Sequence, residues 1–268
     1  MDTRFWGPSG WRLLHLIAAD TLDDARREHT FQWFQLLPFV LPCKYCRASL
    51  QEYYDEQPLT IDMLKSPETF GRWLYDIHNR VNEKLRKQKL LKAPNPSWPT
   101  IRAHYQRLHR SLCDTSPLLG WDFMASVAYT TPACRYRPSP MPHAPSGPMS
   151  PETKNRYNLM TRDERIAKLR AWWNLLPSIL PCAAWRRAWA GNPPLEKGRH
   201  AVNAWMWRLE ESVCSKLQCP TPHDSLPALK EEMSAFESAC ASKTHRNAKT
   251  CRARRRTLRR KRTNAQFA

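Results

Sequence analysis

Trp33-Phe34-Gln35-Leu36-Leu37-Pro38-Phe39-Val40-Leu41-Pro42-Cys43 is answered later in the chain by Trp172-Trp173-Asn174-Leu175-Leu176-Pro177-Ser178-Ile179-Leu180-Pro181-Cys182. In both stretches the apolar residues recur at three- and four-residue spacing instead of alternating, which predicts helix. The Pro-Cys at each end reads as the start of a following helix, where the missing proline N–H has no intrahelical partner to lose. The match extends outward. Gly120-Trp121 repeats Gly10-Trp11, and the run from Trp205 to Leu217 repeats Trp73 to Leu85, keeping the Trp, Val213 and the closing Lys216-Leu217. The later copy is longer between its first two helices, where residues 132–151 hold seven prolines and read as an extended loop.

The fold class that follows is all-α. Residues 1–110 form a small four-helix bundle, 111–219 a degenerate helical repeat packed on it as a pseudo-dimer with the insertion 132–151, and 220–268 a linker and a disordered basic tail. A chain of 268 residues has room for two such cores, and with only 7 Gly beside 12 Trp the packing is aromatic and helical. The first helix is expected from Trp11 to Ala25 with Ser9 as its N-cap, and the second from Asp24 or His29 to Val40. The third runs from Cys43 to Tyr54. The fourth opens at Ser66-Pro67-Glu68 and continues through Trp73, Ile77, Val81 and Leu85 into basic residues that suit the negative end of its dipole.

The formal charge of +19 is concentrated near the C-terminus, because residues 243–262 carry eleven Lys or Arg and no acid. Such a segment is too charged and too poor in apolar residues to build a core. It is suited instead to contacts with nucleic acid, an anionic membrane surface or an import receptor, or to solubilising the chain. The first residues lack an apolar signal-peptide core, and the longest apolar stretch, 31–41, is too short to span a membrane. A cytoplasmic or nuclear chain is expected, so its nine cysteines are not read as a secreted disulfide framework.

Cys43-Lys44-Tyr45-Cys46 is the pair with chemical meaning. At a helix start the N–H groups and the dipole favour a thiolate, one turn brings the two sulfurs within bonding distance, and Lys44 adds positive charge. A zinc site needs two more ligands of similar spacing, and the other close pair, Cys214 and Cys219, has four residues between its members. No metal is expected. A thioredoxin-like reading needs a strand that the pattern lacks. His78 and Asn82, four apart on one helix, and Asn79 and Asn82, three apart, can reach a polar ligand held between helices, with His15 opposite. The second copy keeps the apolar positions and loses these polar ones. Trp185 stands where Cys46 does, Ala125 for His15, Glu210 and Glu211 for His78 and Asn79, and Cys214 for Asn82.

Taken together, Trp6-Gly7-Pro8-Ser9-Gly10-Trp11 with His15, then Pro42-Cys43-x-x-Cys46, then His78-Asn79-Arg80-Val81-Asn82-Glu83-Lys84-Leu85 resemble the Erv/ALR sulfhydryl oxidases, in a form similar to those of large DNA viruses. The resemblance covers about residues 5–100 and implies an FAD-dependent thiol oxidase that forms disulfides in protein substrates and passes electrons through Cys43 and Cys46 to FAD and then to oxygen, giving hydrogen peroxide. It implies that Cys43 is the outer sulfur and Cys46 the one facing the flavin. It further implies that Gly7, Trp11, His15, Tyr45, His78, Asn79, Val81, Asn82, Lys84, Lys87 and Trp98 contact the cofactor. The sequence departs from the family in having Arg86 where Gly is common and in lacking a clear structural disulfide after this helix.

Cys214 and Cys219 are the first candidates for a shuttle pair, Cys240 and Cys251 the second, and Cys113 and Cys134 carry no assignment. The viral likeness adds a viral factory or virion as a location. A different class, a redox-inactive basic adaptor or packaging protein binding nucleic acid or a capsid partner, draws on the basic tail alone. The retention of His15, His78, Asn79 and Asn82 in the first copy only speaks against it.

Overall fold

The computed structural model describes residues 2–112, 114–192 and 198–235. Among them the secondary structure is entirely helical, in agreement with the all-α expectation. The first part of the chain contributes α1 (Thr3–Ala18), α2 (Asp24–Val40), α3 (Lys44–Glu56), α4 (Pro67–Lys87) and α5 (Trp98–Arg110), with a short 3₁₀ turn at Ile61–Lys65. The remainder contributes α6 (Trp121–Tyr129), α7 (Pro151–Arg156), α8 (Arg162–Ile179), α9 (Ala183–Trp189), α10 (Arg199–Lys216) and α11 (Leu226–Ala235).

Local chemistry sets several of these boundaries. Ser66 caps α4 by accepting from the Glu68 N–H, and Pro67 takes the first helical position as expected. Cys43 is itself the N-cap of α3, its sulfur accepting from the Cys46 N–H at 3.3 Å. α1 corrects the sequence reading. It starts at Thr3, because the Asp2 carboxylate accepts from the Arg4 N–H at 2.9 Å, and it ends at Ala18 rather than Ala25. Ser9 therefore lies inside α1, where its hydroxyl accepts from the Phe123 N–H in the first turn of α6 at 3.4 Å, so it satisfies the start of a different helix. Residues 131–150 hold no helix, as expected of the proline-rich insertion.

Two further elements depart from the sequence reading. α5, capped by Ser97, adds a fifth helix to the first bundle and packs on α1 and α4. Residues 220–235, assigned to a linker, instead carry α11, with Leu229 and Met233 buried. The basic stretch 243–262 lies outside the described residues.

α2 lies along α8, and α1 lies along α6. At the centre of the first contact Trp33 and Trp172, both fully buried, stack with centroids 4.9 Å apart. In the second contact Gly10 abuts the Phe123 ring, so closely that an added Cβ would stand 3.1 Å from it, and Gly120 abuts Leu13 in the same way. Gly120 also has φ +104°, a left-handed backbone that glycine adopts without strain.

Candidate active site

Cys43 and Cys46 stand at the start of α3, and their titration is set by their position. Burial pushes the Cys43 thiol up. Hydrogen bonds from the Cys46 thiol and the Cys46 N–H, with the positive field of Arg47, outweigh that and bring it down to about 7. The same hydrogen bond, with burial and the nearby Cys43 charge, pushes Cys46 well above the ordinary thiol range. Cys43 is therefore the sulfur that ionises first.

Two cavities meet at this pair. One, of about 300 Å³, is bordered by both cysteines, by Trp6, Gly7, Gly10, Trp11 and Leu14 of α1, by Leu37 and Leu41, by Tyr45, Ser49, Leu50 and Tyr53 of α3, by His78, Val81, Asn82, Lys84 and Leu85 of α4, and by Phe123 of α6. The other, of about 230 Å³, is bordered by Cys43 and not by Cys46. Cys43 thus lies between an aromatic interior chamber and a separate cleft on its far side.

Of the residues singled out from the sequence, Gly7, Trp11, Cys43, Tyr45, Cys46, His78, Val81, Asn82 and Lys84 border the interior chamber together. Trp11 and His78 stack nearly parallel with centroids 3.8 Å apart. Asn82 donates to the Asn95 side chain at 3.1 Å, and Lys84 is hydrogen-bonded to Ser49. His15, Asn79, Lys87 and Trp98 are not in the lining. His15 is buried behind His78, with Nε2 3.1 Å from its Nδ1 and its ring stacked on Tyr105 at 4.7 Å. Burial, reinforced for His15 by the neighbouring imidazole, holds His15 far below the usual histidine range and His78 at about 3, so both rings are neutral. Asn79 is half-buried on α4, Lys87 is exposed and paired with Glu83 at 2.9 Å, and Trp98 donates to Glu68 at 3.0 Å while borderings a small hollow with His15 and Gly71.

The lining also includes residues that the sequence did not single out. Phe123 comes from the second half, so no spacing within the first half could have pointed to it. Trp6, beside Gly7 in the quoted motif, has a buried Nε1 donor with no partner. Ser49 was signalled only by its place one helical turn after Cys46. The proposed shuttle cysteines border neither cavity. Cys214 is buried, and burial and Cys219 push its thiol up to about 12, which makes it a poor nucleophile. Cys134 is exposed, and Cys113, Cys240 and Cys251 lie outside the described residues. Among the described residues no cluster of His, Cys, Asp or Glu is arranged to hold a metal, and no helix is long and apolar enough to cross a membrane.

A cysteine pair of unequal acidity, at a helix start beside an aromatic chamber, defines a dithiol–disulfide oxidoreductase of helical architecture. The chain belongs to the Erv1 / Alr family, whose family model matches residues 8–102. It is 35% identical over 107 residues to an FAD-linked sulfhydryl oxidase of African swine fever virus (isolate Tick/Malawi/Lil 20-1/1983), a match covering 38% of this chain and 81% of that protein. It is 36% identical over 95 residues to a protein of Acanthamoeba polyphaga mimivirus named as a probable FAD-linked sulfhydryl oxidase, covering 34% of this chain and 65% of that one. It is also 33% identical over 91 residues to the mitochondrial FAD-linked sulfhydryl oxidase of Saccharomyces cerevisiae, covering 33% of this chain and 47% of the yeast protein. No solved structure matches at a significant level.

The chamber fits a flavin nucleotide on its own features. Its walls are mostly apolar and aromatic, Trp6 with a buried, unpartnered N–H is among them, Lys84 offers a cation, and the space where a Gly7 side chain would stand is open.

Proposed function

We propose that the chain is an FAD-linked thiol oxidase that introduces disulfides into protein dithiols through Cys43 and Cys46. The observation that carries this reading is the position of Cys43, which borders both the chamber and the far cleft while Cys46 borders the chamber alone. That asymmetry supports Cys43 as the outer sulfur and Cys46 as the inner one. A substrate thiolate attacks Cys43 Sγ of the Cys43–Cys46 disulfide, and Cys46 departs as a thiolate. The second substrate thiol then attacks its own sulfur in the mixed disulfide and releases Cys43, whose pKa of about 7 makes it a good leaving group. FAD held in the chamber would supply a two-electron acceptor for the Cys43–Cys46 dithiol, and oxygen would be the final acceptor, reduced to hydrogen peroxide.

The protein's own part is orientation and exclusion of water. Trp11, His78, Tyr45 and Val81 provide flat and apolar walls, while Asn82 and Lys84 present polar groups at the same wall of α4. Burial keeps the His78 ring neutral, and the contact with His15 fixes its orientation. His15 is thus a positioning residue, and Asn79, Lys87 and Trp98 are assigned to the outer margin of the site. A visible spectrum of the purified chain, followed by oxygen consumption with dithiothreitol, tests the reading. It predicts a yellow protein that releases FAD on denaturation, and a colourless folded protein without oxidase activity would overturn it.

Residues 114–219 are proposed as a degenerate copy of the first bundle that acts as its built-in partner. The α2–α8 and α1–α6 contacts between the halves are symmetric about the sequence repeat. Trp33 meets its own counterpart Trp172, and the contact of Gly10 with Phe123 is mirrored by that of Gly120 with Leu13. Reciprocity of this kind is the mark of a twofold interface. For the basic stretch 243–262, contact with nucleic acid, a membrane surface or an import receptor stands on its sequence alone.

A further inference from the structure

The cleft on the far side of Cys43 is lined by four basic residues, Lys44, Arg47, Arg137 and Arg165, and among the described residues by no carboxylate. Two of these cations are held firmly. Arg47 donates to the Leu41 carbonyl at 2.8 Å and to Asn158 Oδ1 at 2.8 Å, and its buried Nε has no partner. Arg165, 6% exposed, donates to the same Asn158 oxygen at 2.8 Å and to the Tyr136 hydroxyl at 2.9 Å. Two guanidinium groups therefore converge on one neutral oxygen. Burial, with Arg165 nearby, pushes Arg47 down to about 9, the response of a cation that lacks a full counter-charge. The other two are at the rim. Lys44 donates to the Ser139 hydroxyl at 2.9 Å, and Arg137 is exposed.

Buried cations without a carboxylate are costly, and the usual remedies are pairing or replacement by apolar residues. Neither has been adopted here. The Cys43 thiolate balances one positive charge in the reduced enzyme, and it does so through Arg47. A substrate, however, meets the oxidised enzyme, in which Cys43 is a neutral disulfide sulfur and all four cations face the cleft. Tyr136, Arg137, Ser139 and Asn158 belong to the insertion and the turn after α7, so this wall is supplied by the second half.

We propose that this cleft docks the substrate and that Arg47 and Arg165 form within it a subsite for a carboxylate side chain flanking the substrate cysteine, so that the enzyme selects acidic protein segments. The proposal rests on Cys43 being the outer sulfur. It gives the second half a role in choosing substrates as well as in packing, since that half supplies Tyr136, Arg137, Asn158 and Arg165 to the cleft beside Cys43.

Synthetic dithiol peptides with Glu, Gln or Lys beside the reacting cysteine test it on the full flavin-loaded chain. The Glu peptide is expected to exceed the Gln peptide in kcat/KM by roughly tenfold, the worth of one charge-assisted hydrogen bond, and the Lys peptide to be the poorest. In Arg165→Gln the Glu-to-Gln ratio falls toward one. Should that variant fail to fold, Arg137→Gln at the exposed rim is expected to lower the ratio by about twofold. Binding of a Glu peptide with Ser in place of Cys, read by fluorescence anisotropy and weakened by salt, reports on the cleft without any turnover. Equal kcat/KM for the three peptides would overturn the proposal, as would a preference for glutathione without discrimination among peptides. Absence of dithiothreitol oxidation would instead count against the oxidase reading, and the anisotropy result would still decide the subsite.

Discussion

His78 on α4 and Glu210 on α10 stand at matching places in the sequence repeat, and the two halves resolve that place in opposite ways. In the first half His78 meets a second imidazole, His15, and both are neutral beside an open chamber. In the second half Glu210, fully buried, accepts from His223, whose other ring nitrogen contacts Asp122 at 3.0 Å. Burial alone would lower His223, but hydrogen bonds and charge from Asp122 and Glu210 override it and raise it to about 9. Where Cys46 stands in the first half, the second has Trp185, fully buried and donating to the Ser116 carbonyl at 2.8 Å. The first half thus places neutral imidazoles beside an open chamber, whereas the matching place in the second half is a filled core around His223, Glu210 and Asp122. The comparison teaches that matching apolar positions pack alike in the two halves, while the polar groups at matching positions differ in charge and in partners.

The largest effects should separate the halves by chemistry. Cys46→Ser is expected to lower oxygen consumption with dithiothreitol by ~100-fold or more, because it removes the inner half of an activated pair. Cys214→Ser is expected to change the same rate by less than about twofold, since a thiol held near 12 is a weak nucleophile. A comparable loss in Cys214→Ser would break the comparison by making the second half chemically active.

Stability should separate them in the other direction. Glu210→Ala leaves His223 buried with half its counter-charge and is expected to destabilise the chain by ~3–5 kcal/mol in urea unfolding. His78→Ala, at a half-buried position facing a chamber, is expected to cost only about 1 kcal/mol in the flavin-free protein while abolishing flavin retention. The pH dependences also oppose each other. The folded pKa of His223 is raised, so its contribution of about 3 kcal/mol is fully present below the unfolded value near 6.5 and is lost as pH rises through about 9. The folded pKa values of His15 and His78 are lowered, so their contribution is present above 6.5 and is lost as pH falls toward 3. Unfolding free energies measured from pH 5 to 10 should lose the alkaline slope in His223→Gln, and an unchanged slope would show that the triad is not charged.

How far these features were legible in the sequence depended on the range of the interactions that create them. The boundaries of α2, α3 and α4 followed from apolar spacing and from Ser66-Pro67, because those signals act within one helical turn. Cys43, Cys46, His78, Val81, Asn82 and Lys84 share local helical faces, and their joint presence in the chamber follows from that spacing. The start of α1 was missed because Pro8 and the glycines at 7 and 10 resemble helix breakers, whereas packing of Gly10 against Phe123 rewards a helix there. α5 was missed although Ser97 followed by Pro99 marks a helix start, because Ile101 and Tyr105 are its only buried residues and leave a thin apolar stripe. Phe123 and His223 could not have been found from local pattern at all. Each acquires its role from a contact more than a hundred residues away, Phe123 with Ser9 and His223 with Asp122.

The smallest effect is the sharpest on the open chamber itself. Trp6 borders the chamber, its Nε1 donor is buried without a partner, and leaving such a group without an acceptor costs about 1 kcal/mol or more. Trp6→Phe removes the donor and retains most of the ring. If that N–H serves a ligand, the variant should be more stable than the parent by ~1 kcal/mol when flavin-free, yet bind FAD about fivefold more weakly. Thermal unfolding with and without added FAD reads both quantities on the same protein. Opposite signs would show that the chamber carries an energetic cost that only its ligand offsets. Equal loss in both states would mean that Trp6 is ordinary core, as Trp185 is in the second half.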